Sequence, residues 1–290
     1  MTRVIAPSRP LADRTRARRG LALFFPLVIV FEALSLAVMV ATGNVLWIYA
    51  LMWSVTLASA ITRLVNREGF RDVSFRWGGG RSVTWSVVGL IVPLVVGALA
   101  FGTAWMTGLV PFAPGPGGFW MGLLGALTVG LVLNMVWAAG EEIGWRGYML
   151  IRLVDAGVPR PVLVHSVIWG LWHLPLIIAG LIYTEHPDTV VAAIVFMVSV
   201  IPMGFVLARI RLGTGSVWPG VVAHGAYNSI IQGAFWPAAA AGGASAAVWV
   251  GMEAGLLVAV ALALVATVLC VGTWTYRRTP DEVMEGAPRP

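Results

Sequence analysis

The chain has 290 residues, of which 59% are hydrophobic and 11% charged, against roughly 25% charged in an ordinary soluble domain; its mean hydropathy is +0.86. That composition excludes a soluble catalytic domain. At about 20 residues per crossing, the length holds about eight membrane spans and little else, so any chemistry must be done by the bundle itself.

The apolar runs in chain order are 21–42, 45–61, 83–105, 119–150, 162–183, 190–207, 217–236 and 247–274. Joints rich in Gly and Pro or in polar residues separate most of them, among them "VPFAPGPGG", "YTEHPD", "RLGTGS" and "AAAAGGAS". "RTRARRG" precedes the first run, whose 22 residues exceed the 7 to 15 of a signal-peptide core and predict an uncleaved anchor. The expected architecture is all-α: a basic tail over 1–20, one transmembrane bundle over 21–276 and a second tail over 277–290. The single cysteine, Cys270, excludes an intrachain disulfide and lies in an apolar run.

All 19 basic residues are arginine. Apart from Arg146 they fall in the two tails and in alternate joints, at 63–81, 152–160 and 209–211, while the joints near 106–118, 184–189 and 237–246 contain none. Under the positive-inside rule this predicts an even number of spans with both termini cytoplasmic, in a multi-pass protein of the plasma membrane. The net charge of +6 thus reports topology and contact with anionic lipid, and nucleic-acid binding is excluded as a partner class.

Polar residues inside the spans carry the functional signal. "AAGEEIGWRGYML" sets Glu141, Glu142 and Arg146 within an apolar run, where each carboxylate costs on the order of 2.5–3.5 kcal/mol at mid-membrane. Glu142 and Arg146 share a helix face and can offset part of that cost, whereas Glu141 sits about 100° round the helix and is left free for chemistry. In the fifth run "WGLWHLP" places Trp169 one turn before His173, with Pro175 expected to bend the helix. In the seventh, "AHGAYN" places His224 and Asn228 on one face. Glu141, His173 and His224 stand 11, 13 and 13 residues from Arg152, Arg160 and Arg211. At 1.5 Å per residue these are depths of roughly 16–20 Å, so three helices can bring the groups to one level.

These residues resemble the CPBP family of CAAX-protease and bacteriocin-processing intramembrane proteases, which includes the type II CAAX prenyl endopeptidases. "EEIGWR" fits its Glu-Glu-x-x-x-Arg motif, "WGLWH" its aromatic-x-x-x-His motif and "HGAYN" its His-x-x-x-Asn/Asp motif, over about 119–232. Trp169 stands where the second motif often has Phe. The resemblance implies a hydrolase that cleaves peptide bonds of membrane-embedded or lipid-modified substrates. It makes Glu141 the base, gives His173 and His224 the water, directly or through a metal, and assigns Asn228 to the oxyanion. Glu142 and Arg146 would hold the helix in register, and Gly140 and Gly144 would allow close helix approach. Glu141, His173 and His224 also make a three-ligand set for zinc with one open position, while a metal-independent glutamate and histidine mechanism is the preferred reading. A proton-coupled transporter and a non-catalytic scaffold are the competing functions.

The remaining polar residues carry blander expectations. His165 caps or lines the entrance, His186 is solvated, Glu32 and Glu253 pair within the bundle, and Asn134 lines a cavity. Trp47, Trp105, Trp120 and Trp218 are expected as interface anchors. The "FRDVSFRWGGGR" joint is a candidate surface segment.

Overall fold

The computed structural model describes residues 11–270, and every regular element among them is helical. Six helices are long and apolar enough to cross a membrane. They include α1 (Leu11–Thr42), α2 (Ile48–Val65), α3 (Gly80–Met106) and α4 (Gly118–Asp155). α5 (Pro161–Ile178) and α6 (Thr189–Thr214) complete the six. α7 (Trp218–Tyr227) continues as a π-helical stretch, Asn228–Phe235, and is followed by α8 (Gly243–Val250) and α9 (Leu256–Cys270). The expected tails fall partly outside the described residues: 1–10 and 271–290 lie beyond them. α1 starts at Leu11, ten residues before its apolar run, and Ala17 is buried.

The expected eighth run, 247–274, is not one helix. "GMEAG" interrupts it with a single 3₁₀ turn, Met252–Ala254, and α9 starts only at Leu256. Two glycines and a carboxylate are poor continuations of an apolar helix, and Glu253 instead turns inward to bond Tyr183 and Gln232. Glu253 therefore does not use Glu32, whose Oε1 has no hydrogen-bond partner.

The arginine-bearing joints meet at one end of the bundle. Arg16 donates to the Arg67 carbonyl (2.7 Å), Arg81 to the Gly213 carbonyl (3.1 Å) and Arg211 to the Asp72 carbonyl (2.7 Å). The 70–81 joint is consequently a packed strap across helix ends. Val73 is fully buried, and Asp72 bridges Arg63 and Arg152, with Arg152 also on Glu68 at 2.8 Å. Burial favours the neutral form of Asp72, but the guanidiniums of Arg152 and Arg63 outweigh it and hold its carboxyl below the usual carboxylate range. Two arginine-free joints touch at the other end, where Ala113 N–H donates to the Ala238 carbonyl (2.8 Å) and Ser245 to the Leu109 carbonyl (3.1 Å).

The tryptophans divide. Trp47 and Trp120 are exposed as anchors would be, at 42% and 77%. Trp105 instead packs among Phe101, Phe112, Phe119 and Phe235, and Trp218 Nε1 donates to the Phe75 carbonyl at 2.6 Å.

α2 and α4 approach closely through the expected glycines. A Cβ on Gly144 would lie 2.5 Å from Val55 Cγ1 and 2.7 Å from the Val55 carbonyl oxygen, and one on Gly140 would lie 3.0 Å from the Met52 oxygen. Thr56 Oγ1 donates to the Gly140 carbonyl at 2.6 Å, fixing the register of the pair. Gly144→Ala must push the two backbones apart. We expect about 1–3 kcal/mol of destabilisation, read as a lower unfolding midpoint in detergent. An unchanged midpoint would mean that the contact is looser than its distances state.

Candidate active site

α4 carries the acidic pair at its most buried point. Glu141 and Glu142 are 2% and 0% exposed, and directly after them the helix widens into a π-helical turn, Trp145–Met149, that holds Arg146. Such bulges recur at functional sites because they re-aim side chains that an α-helix would stack. Another begins at Asn228, directly after Tyr227 and one turn after His224.

The three motifs interlock. Glu142 Oε1 accepts from Arg146 Nη1 at 2.7 Å and from His224 Nδ1 at 2.9 Å, so one carboxylate oxygen ties α4 to α7. Glu141 Oε2 accepts from Trp169 Nε1 at 2.8 Å, tying α4 to α5. The Arg146 guanidinium lies 3.9 Å from the Trp169 ring centroid, where the ring face partly substitutes for water around the cation. Trp169 thus does more than pack: it holds Glu141 by its edge and Arg146 by its face. A phenylalanine in its place would supply only the face.

Both histidines are fixed through Nδ1. His173 Nδ1 is 2.8 Å from the Trp169 carbonyl. A carbonyl only accepts, so that nitrogen carries the proton and Nε2 is left as an acceptor. His224 Nδ1 donates in the same way to Glu142, leaving its Nε2 free as well.

The site residues share one cavity of about 390 Å³. Glu141, Trp169, His173, His224 and Asn228 all line it, and so does Asn134, which donates to the Gly130 carbonyl at 2.9 Å. Glu142 and Arg146 do not: they sit behind the wall and act through His224 and Trp169. The expected residues of three helices thus line one cavity, with Glu142 orienting a histidine in addition to bonding Arg146. Trp137 and Trp172 also line the cavity, so the tryptophans are a cage wall as well as anchors.

Two other histidine expectations need correction. His165 is wholly buried, and neither of its ring nitrogens has a partner, so it lines no entrance. His186 is 9% exposed instead of solvated, and its Nδ1 accepts from Asp188 N–H at 3.1 Å. The sequence reading also missed Tyr183, Gln232 and Tyr227, which line the same cavity with Glu253.

The residues give mixed support to a metal. A metal-bound histidine usually donates its other N–H to a carbonyl or carboxylate, as His173 and His224 both do. Among the described residues, however, no three His, Cys, Asp or Glu side chains gather closely enough to hold an ion, so the donor geometry does not fit one.

Residues 118–230 match the family described as type II CAAX prenyl endopeptidase Rce1-like. No curated protein matches the chain. The matched segment covers α4 through the first residues of the π-helical stretch Asn228–Phe235, and hence every residue of the three motifs.

Proposed function

Through residues 118–230 the chain belongs to the CAAX-protease (CPBP) family of intramembrane endopeptidases, and on that premise we propose that it hydrolyses peptide bonds with a water activated by Glu141. The observation that supports this reading is the shared cavity, which Glu141 of α4, His173 of α5 and His224 of α7 all line.

Trp169 occupies Glu141 Oε2, which leaves Oε1 to take a proton from water. The Nε2 atoms of His173 and His224 are the other acceptors at hand. A water has two hydrogens and here faces three acceptors. It can place one hydrogen on Glu141 Oε1 and the other on one of these nitrogens, while the Asn228 carboxamide N–H is the donor for the developing oxyanion. The proton taken by Glu141 passes to the leaving amine, which returns the carboxylate to its starting form. Glu142 keeps His224 in the tautomer that this sequence needs, and Arg146 supplies the countercharge beside Glu142.

The wall suits an apolar substrate. Leu133, Trp137, Leu176 and Phe196 line the cavity, fitting the membrane-embedded or lipid-modified segments expected as partners. The test is a mass-spectrometric comparison of protein termini in membranes carrying the protein or its His224→Ala form at equal abundance. New termini with the intact protein alone, persisting under a strong metal chelator, are the expected result. Identical termini would overturn proteolysis, and their loss on chelation would overturn the metal-free mechanism.

A further inference from the structure

The cavity lining holds a second polar group that the hydrolytic reading leaves without a task. Glu253, in the turn before α9, accepts from Tyr183 Oη on Oε2 (2.7 Å) and from Gln232 Nε2 on Oε1 (3.0 Å). Gln232 is exposed at the rim, so the group stands where the cavity meets its surroundings. Tyr227 lines the same space, is 1% exposed, and its hydroxyl has no partner. A buried phenol normally finds one, because leaving it unmade costs on the order of 1–3 kcal/mol. An unpartnered hydroxyl in a lined cavity, next to a carboxylate whose remaining lone pairs are open, describes a site built for a guest.

We propose that Glu253, Tyr183, Gln232 and Tyr227 form a substrate subsite that receives a nitrogen hydrogen-bond donor of the bound peptide, an ammonium or a carboxamide, and rejects a carboxylate. It deepens the protease reading and rests on it for the identity of the guest as a peptide. Each Glu253 oxygen already accepts one hydrogen bond and has a lone pair left for another. Tyr183 donates its only proton to Glu253, so its oxygen faces a guest purely as an acceptor. Three open acceptor positions thus stand against one open hydroxyl, that of Tyr227, and the site carries negative charge. A guest N–H group satisfies the acceptors, while a guest carboxylate meets like charge in a poorly solvated space. Burial first, and then the charge and hydrogen bond of Glu253, push the Tyr183 phenol well above its ordinary value, so it remains a donor to Glu253 throughout the working pH range.

Binding, measured apart from cleavage, separates this inference from the protease reading. The full-length Glu141→Gln protein in detergent would be titrated with fluorescein-labelled apolar peptides that differ at one central residue: lysine, glutamine, norleucine or glutamate. The lysine peptide is expected to bind at least about tenfold more tightly than the glutamate peptide, the scale of one hydrogen bond to a charged group. Adding Glu253→Gln should compress that ratio to within about twofold, and adding Tyr227→Phe should weaken the glutamine peptide by about threefold. Glutamine matching lysine would trace the preference to the donated bond, and lysine alone to its charge; either supports the subsite. Equal binding of lysine and glutamate peptides, or a ratio untouched by Glu253→Gln in protein that still unfolds at the parent temperature, would overturn it. If Glu253→Gln does not fold, Tyr227→Phe decides alone, and an unaltered glutamine affinity there is equally fatal. Absence of cleavage by the unsubstituted protein bears only on the hydrolytic reading.

Discussion

Glu141→Gln is expected to lower peptide cleavage by about 10²- to 10⁴-fold, the range a positioned general base contributes. The substitution keeps shape and removes only basicity. The carboxamide oxygen still accepts from Trp169 Nε1, so the 2.8 Å link between α4 and α5 survives and the fold should not notice. The unfolding midpoint in detergent should therefore move by no more than about 2 °C. A quenched peptide followed in lipid vesicles gives the rate, and a melting curve on the same preparation gives the control. Undiminished cleavage with glutamine at 141 would take water activation away from this side chain. The adjacent carboxylate, Glu142, is fully buried behind the cavity wall and already bonded to Arg146 and His224, and Glu253 in the cavity lining is bonded to Tyr183 and Gln232.

Much of this arrangement was legible because charge in an apolar run is an anomaly that asks for a reason. Glu141, Glu142 and Arg146 interrupt such a run, and the i, i+4 spacing alone predicts the Glu142–Arg146 pair. Counting from the arginines placed Glu141, His173 and His224 at one depth, and the cavity gathers all three. What the sequence did not show depends on packing between distant segments. Glu253 reads as a bundle partner for Glu32 and Tyr183 as the end of an apolar run, so neither announces the other; only the fold sets them 2.7 Å apart. His186 misled in the same way, since "TEHPD" looks like an exposed joint while its imidazole is buried. The 70–81 strap followed from Asp72 meeting Arg63 and Arg152, pairings 9 and 80 residues apart that no periodicity announces. Hydropathy also extended the last helix through "GMEAG", because a window average smooths over one carboxylate and two glycines.

Arg146→Met is expected to destabilise the protein by about 3–5 kcal/mol, the cost of breaking one side of a buried ion pair. Both partners are 0% exposed, and removing the guanidinium strands Glu142 in a dry interior with His224 as its remaining partner. It also takes the cation off the face of Trp169, the residue that holds Glu141. The pair itself is a weak source of net stability, because desolvating both ions consumes most of their attraction. The double variant Glu142→Met with Arg146→Met should accordingly recover most of the loss in unfolding midpoint. Activity should not recover with it. Without a carboxylate at 142, His224 Nδ1 has no acceptor, its tautomer is no longer fixed, and Nε2 ceases to be a dependable acceptor for the water. Stability regained without cleavage would identify Glu142 as a positioning residue for His224. Cleavage regained together with stability would reduce the pair to a structural tie between one turn of α4 and the next.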